Sequence, residues 1–176
     1  MKKSIIIMLA AIAFVATSCK KEKIEGTATQ EASGQWSVAL NCIDDEGNAM
    51  GDLFGVGQFL ILTYNTNDDA PDKIYIDDLG NFWAFKVKAD LDLQNLTFSV
   101  QEGISEFVDD EGPYDIAVTI TNGKILKGAA TTPSGMPADS IVFDILFEDD
   151  EYVGVYYDHM RIEGFRYTGF ANDELF

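Results

Sequence analysis

The sequence predicts an all-β protein, a single closed meander barrel of about eight to ten antiparallel strands. From Trp36 onward, short runs rich in β-branched and aromatic residues are broken roughly every 8–15 residues by Gly, Asn, Asp or Pro clusters. No stretch has convincing helical periodicity. A meander that closes on itself removes the exposed edges of an open sheet. A two-sheet sandwich has the same turn pattern and is the alternative.

The individual strands are predicted as the runs between these turn-forming clusters. In residues 82–91, Phe85 and Val87 alternate with Lys86 and Lys88, which predicts one buried and one solvated face. The same alternation places Tyr114 and Phe143 inward on later strands. Strands are predicted near residues 35–43, 57–64, 73–77, 82–91, 96–101, 114–121, 124–131, 139–148, 152–157 and 160–168. Asn122-Gly123 predicts a hairpin between two of them, because these residues accept the positive φ angles of a type I′ turn.

The N-terminal segment predicts export and anchoring. Lys2 and Lys3 precede an apolar run, residues 5–15, that is too short to span a bilayer, and small residues lead into Cys19. This order resembles a bacterial lipobox, so we expect residues 1–18 to be a signal peptide and Cys19 to carry acyl chains. The expected location is the cell envelope, as an outer-membrane lipoprotein on either its periplasmic or its surface face. An ordinary signal peptide cut near Ser18 is the alternative.

The remainder divides into an acylated tether, residues 19–33, and one β-barrel domain, residues 34–172. The formal net charge of −18 argues against nucleic acid as a partner and against lying flat on anionic lipid. With Cys19 acylated, Cys42 has no partner for a disulfide. Cys42 is an even number of residues from Trp36 and Val38, so it lies on the same face of the strand, which predicts a buried core position.

An acidic turn recurs three times, at residues 44–47, 77–80 and 109–112. Two predicted strands separate each copy from the next, so all three turns should share the rim opposite the tether. Local turn chemistry explains Asp and Gly at such positions. A calcium site is the second interpretation, because clustered carboxylates suit a hard cation. Its candidate ligands are Asp44, Asp45, Asp77, Asp78, Asp109 and Asp110.

The sequence contains few of the residues and motifs that catalysis requires. His159 is the only histidine, there is no Gly-x-Ser-x-Gly motif, and Asp158 is merely its sequence neighbour. Zinc would have to rely on His159 and Cys42. Paired acids for glycoside hydrolysis stay open, since the sequence does not give their separation. No catalytic residue is assigned, and no cofactor other than calcium is expected.

Arg166 lies among aromatic residues in the stretch 164–170. Its guanidinium could stack on a ring or present its planar fork to a ligand carboxylate, such as that of a fatty acid. A structural ion pair with one of the many acids is the favoured alternative.

Three stretches together, residues 77–88, 130–140 and 164–170, resemble the lipid-binding putative hydrolases, a family of Gram-negative lipoproteins. The resemblance covers nearly all of residues 34–172. It implies a lipocalin-like β-barrel on a lipid anchor and supplies no catalytic residues. Residues 131–139 are interpreted as a shaped loop at the barrel mouth rather than a nucleophile site around Ser134.

The leading functional hypothesis is a non-catalytic, membrane-anchored lipoprotein that binds a lipid or another apolar or amphipathic small molecule in its barrel. The candidate ligand-contacting residues are Trp83, Phe85, Tyr114, Phe143 and Arg166. The alternative is an accessory or interaction module of an outer-membrane assembly, with a barrel filled by its own side chains. Hydrolysis of an ester or glycan ranks below both. An interior cavity of several hundred cubic ångströms would separate the first two hypotheses.

Overall fold

The computed structural model describes residues 26–173 and shows an all-β protein, with no α-helix among those residues. Its elements are β1 Gly34–Ile43, β2 Ala49–Gly51, β3 Gln58–Asn65, β4 Lys73–Asp77, β5 Lys86–Asp92, β6 Thr97–Ile104, β7 Val108–Asp109, β8 Gly112–Pro113, β9 Ala117–Thr131, β10 Pro137–Phe147, β11 His159–Arg166 and a 3₁₀ turn at Ala171–Asp173. The predicted signal peptide and Cys19 lie outside the described residues.

Eight strands close into an antiparallel barrel in the order β1-β3-β4-β5-β6-β9-β10-β11. The closure is the pairing of β11 with β1, from Trp36 opposite Arg166 to Ile43 opposite His159. This confirms the predicted closed meander barrel. The short strand β2 adds to the end of β1, and β7 and β8 form a small separate hairpin.

The predicted hairpin at Asn122-Gly123 is wrong. Strand β9 runs through this dipeptide without reversing, and its register against β10 shifts there, as in a β-bulge. Asn122 has a φ of 55°, while Gly123 lies opposite Phe98, whose ring would be 2.4 Å from a Cβ atom at that glycine. Asn-Gly therefore supplies a positive φ and room for an aromatic ring within one long strand.

Two other predicted strands differ from the structure. Residues 152–157 form turns rather than a strand, with a single bridge between Val153 and Tyr157. The strand predicted at 82–91 begins only at Lys86, because residues 78–85 form a loop around a buried aspartate described below.

The barrel interior is filled by its own side chains. Trp36, Ile61, Val118, Phe143 and Met160 each retain 0 % exposure. A side chain lining a solvent-sized void would keep accessible area, so these residues pack against one another. Phe98 and Phe143, for example, have ring centroids 5.7 Å apart. Cys42 is a buried free cysteine in the same core, as predicted.

The two ends of the barrel differ. We call the near end the one formed by the start of β1, the turns at residues 66–72, 93–96 and 132–136, and the last residues of β11. The far end carries the loops at residues 44–57, 78–85, 105–116 and 148–158. All three acidic turns lie at the far end, so the predicted shared rim is confirmed.

The near end is sealed by the chain itself. Residues 27–33 form hydrogen-bonded turns in which Thr29 and Ala32 are fully buried, so part of the expected tether packs on the barrel. The Trp36 indole donates to Thr63 Oγ1 over 2.9 Å, and that hydroxyl donates to the Ala32 carbonyl over 2.6 Å. These bonds tie the first strand to the segment that precedes it.

Candidate functional site

An aromatic groove opens at the far end, lined by Leu53, Phe54, Tyr152, Tyr156 and Tyr157. Its volume is about 430 Å³, within the range typical of small-molecule sites. Leu53, Tyr152 and Tyr156 are all more than half exposed, which is unusual for large apolar and aromatic side chains grouped on one surface. The groove is therefore an aromatic surface that solvent can reach.

Aspartates hold both walls of this aromatic groove in place. The Asp52 carboxylate accepts backbone N–H bonds from Phe54, Gly55 and Gly57 at 2.8–3.0 Å, which folds the loop that presents Phe54. On the opposite wall, Asp150 accepts from the Tyr152 N–H and, over 2.5 Å, from the Tyr157 hydroxyl. Burial and the Asp150 carboxylate both raise the pKa of Tyr157, so this hydroxyl stays protonated.

The base of the groove rests on the loop at residues 78–85. Asp78 is fully buried, and its two carboxylate oxygens accept five backbone N–H bonds at 2.9–3.1 Å. The donors are Gly80, Phe82, Trp83, Ala84 and Phe85. The loop thereby holds Phe82 and Trp83 edge-on against Phe54, each with ring centroids 5.6 Å apart from it.

An acidic cleft adjoins the aromatic groove. It has a volume of about 220 Å³ and is lined by Asp44, Asp45 and the segment 154–158. Tyr156 and Tyr157 line both spaces, so the groove and the cleft share a wall. The Asp45 carboxylate has no hydrogen-bond partner among residues 26–173, whereas Asp158 accepts from His159 Nδ1 over 2.8 Å. The two spaces together offer an apolar surface beside a negative one.

A third space at the far end lies beside Trp83 and Tyr114, has a volume of about 410 Å³ and is bordered by Asp109 and Glu111. Asp149 accepts hydrogen bonds from the Trp83 indole and the Tyr114 hydroxyl. The bond to Asp149, aided by burial, raises the pKa of Tyr114 to about 12. This space is wide open to solvent, and two of its three aromatic side chains, Trp83 and Tyr114, are already bonded to Asp149.

The five predicted ligand-contacting residues do not come together. Trp83 and Tyr114 lie at the far end, whereas Phe85 and Phe143 are buried in the core with at most 1 % exposure. Arg166 lies at the near end, over the Trp36 ring at 4.3 Å from its centroid, where it pairs with Asp139 and donates to the Ser33 carbonyl. Arg166 therefore has the structural role that the sequence favoured over a ligand carboxylate.

Aspartates of the acidic turns accept hydrogen bonds from the backbone of their own turns. Asp44 accepts from the N–H groups of Glu46 and Asn48, and bonds from Asn48 lower its pKa. Asp77 and Asp109 each accept backbone N–H bonds from their own turns. Among residues 26–173, no three His, Cys, Asp or Glu side chains are grouped as a metal ion requires. The six aspartates proposed for calcium thus belong to separate turns that share one end of the barrel.

His159 begins β11 on the outer wall of the barrel. Its Nδ1 contacts Asp158, and its Nε2 lies 3.5 Å from Asp144 without a hydrogen bond. Asp144 is already bound by Arg161 and Asn122; although burial disfavours its charge, these bonds lower its pKa. Ser134, at the near end, donates to Asp173, which fastens the C-terminal segment. In the described part of the chain, neither His159 nor Ser134 therefore belongs to a hydrogen-bonded pair of a nucleophile and its general base.

The aromatic groove is not among the features that the sequence predicts. The pattern predicts a strand over residues 152–157, although Gly154 between the tyrosines has a φ of 74° and marks a turn. An aromatic-rich turn flanked by acids was the available signal. Phe54, about 100 residues earlier in the chain, could not be connected with them from local pattern alone.

The fold is a closed, lipocalin-like β-barrel with a filled interior. Its aromatic groove and its acidic cleft both lie at the far end. The chain belongs to the family described as lipid-binding putative hydrolase, whose model matches residues 21–171. No curated protein matches the chain. Within the described residues, no helix has the length and apolar character needed to cross a membrane.

Proposed function

We propose that the protein binds a lipid-like amphiphile in the aromatic groove at the far end of its barrel and catalyses no reaction on it. The single observation that carries this proposal is the open groove lined by Leu53, Phe54 and three tyrosines, of which Tyr152 and Tyr156 are more than half exposed. The family's lipid-binding description supports the ligand class. The filled interior supports the end of the barrel, rather than its centre, as the place of binding.

The groove suits an apolar chain for physical reasons. Its rings are braced by edge-to-face contacts, so binding would immobilise few side chains further. Each buried methylene of a ligand contributes about 0.8 kcal/mol. About five buried methylenes would contribute about 4 kcal/mol, which corresponds to millimolar affinity before the head group contributes.

The same proposal includes an anchor at Cys19, supported by the lipobox-like residues 16–19. Acyl chains there would attach the protein to the envelope, on the outer membrane. Because the described chain enters at the near end, the aromatic groove would then face away from the bilayer that holds the protein. Such a placement suits capture or transfer of an amphiphile from outside that membrane.

The direct test is the binding of dodecyl maltoside, below its micelle concentration, measured by isothermal titration calorimetry. We expect Tyr156→Ala to weaken binding about tenfold, because this ring lines both the groove and the cleft. Phe170→Ala is the matched control, since Phe170 is a similarly exposed aromatic residue, 60 % against 64 %, near the opposite end. Equal affinities for all three proteins, or no binding by the wild type, would refute the proposed site.

A second candidate function, an interaction module of an envelope assembly, is favoured by the filled interior and by the exposed side chains of Met50, Val108 and Val155 at the far end. It predicts that the far end is covered by another protein. Native mass spectrometry of protein taken from its own membrane separates the two, because a lipid and a protein partner add very different masses.

A further inference from the structure

The four far-end loops differ from the rest of the chain in charge. Residues 44–57, 78–85, 105–116 and 148–158 contain about half of the chain's 30 acidic residues and no lysine or arginine. The seven lysines and arginines of residues 26–173 all lie on strands β4, β5, β9 and β11. The far end therefore carries a one-signed field that favours a cationic ligand and repels an anionic one.

The acidic cleft focuses this charge next to the aromatic groove. Asp45 and Asp158 border the cleft with exposed carboxylates, and Asp44 completes its acidic side. Tyr156 and Tyr157 form the wall between cleft and groove. A positive group placed there would meet carboxylates on one side and tyrosine rings on the other, and aromatic faces attract ammonium groups.

The same geometry disfavours a fatty acid. A ligand carboxylate at the end of the groove would approach Asp45 and Asp158, and no lysine or arginine lines either space. Arg166, the residue that could have received a carboxylate, is engaged with Trp36 and Asp139 at the near end. Anionic amphiphiles thus lack a counter-charge at this site.

We propose that the ligand is an amphiphile with a cationic head group, an amine or a quaternary ammonium, whose chain lies in the aromatic groove and whose head lies in the acidic cleft. This inference rests on the proposed lipid-binding function and adds the chemical class of the head group. Asp45 and Asp158 act as its counter-charges, and Tyr156 contacts both parts of the molecule.

The test compares dodecyltrimethylammonium, dodecyl maltoside and dodecanoate, which share a chain length, below their micelle concentrations and at one ionic strength. We expect the wild type to bind the ammonium probe about tenfold more tightly than the maltoside, and dodecanoate least tightly. Asp45→Asn with Asp158→Asn should remove that preference, at about threefold for each exposed carboxylate, because it weakens binding of the ammonium probe. Asp45→Asn alone should give about half of the effect in free energy.

The control pair is Asp110→Asn with Asp68→Asn, which removes the same net charge at exposed positions outside the cleft. We expect this pair to keep the ammonium preference. An equal loss in the control pair, or equal affinity of the wild type for ammonium and maltoside, would overturn the head-group assignment and leave the groove standing. If none of the three probes binds, the proposed function itself fails together with this inference. Thermal unfolding of each variant establishes that it is folded.

Discussion

Replacing Asp78 by asparagine is the most demanding test of how the far end is built. Oδ1 accepts two backbone N–H bonds and Oδ2 accepts three, all within a fully buried site. An asparagine keeps one acceptor oxygen and turns its NH₂ group toward N–H donors, so at least two bonds are lost. Hydrogen bonds to a charged group contribute about 1.5–3 kcal/mol each. Allowing for relaxation of the loop, we expect the free energy of unfolding to fall by about 3–5 kcal/mol.

Urea unfolding followed by tryptophan fluorescence measures this loss, and Asp77→Asn is the matched control. Asp77 is the neighbouring residue and is only partly buried; it accepts from the Leu79 N–H and the Tyr64 hydroxyl. Its replacement should cost about 1 kcal/mol. Asp78→Asn should also weaken amphiphile binding, because Phe82 and Trp83 support Phe54. A loss below about 1 kcal/mol for Asp78→Asn would refute the structural role given to this carboxylate.

Four further predictions follow from particular residues. Cys19→Ala should release the protein from the membrane fraction, which cell fractionation detects; unchanged retention would contradict the anchor. Arg166→Lys should lower unfolding free energy by about 1–2 kcal/mol through lost stacking and hydrogen bonding, with unchanged amphiphile affinity by calorimetry. The pKa of Tyr114 is raised from 10.0 to about 12 in the folded protein, so the unfolded chain loses this proton first as the pH rises between those values. The free energy of unfolding should therefore decrease over that range, and should decrease less in Tyr114→Phe. Urea midpoints that change equally with pH in the two proteins would contradict this. His159→Ala should leave amphiphile binding unchanged, and a large loss would implicate the outer wall.

The barrel was predictable because its signal is local and repeated. Alternation of buried Val87 and Ala89 with exposed Lys88 and Asp90 marks an inner and an outer face without knowledge of any partner strand. The shared rim of the acidic turns followed from the meander, in which every second connection returns to the same end. That count was correct because the two errors that changed the number of barrel strands, at residues 122–123 and 152–157, lie after the third turn.

The rest depended on partners distant in the chain. Asn122-Gly123 has the same local signature in a hairpin and in a bulge, and the ring of Phe98 opposite Gly123 marks the second. The groove likewise needs Phe54 to meet Tyr152 and Tyr157, at centroid distances of 6.3 and 6.0 Å. Period-two alternation also marked Phe143 as inward without revealing whether the interior would be filled or hollow.

The central claim is that the ligand lies at the far end and outside the filled barrel, and the two tryptophans test it most directly. Trp83 lies 5.6 Å from Phe54 between ring centroids, whereas Trp36 is fully buried towards the near end. The measurement is fluorescence quenching by a dodecyl amphiphile brominated along its chain, in the wild type and in Trp83→Phe. We expect binding to quench the wild type and to leave the Trp36 emission of Trp83→Phe unchanged. Quenching of Trp36 in that variant would place the chain inside the barrel and contradict the account.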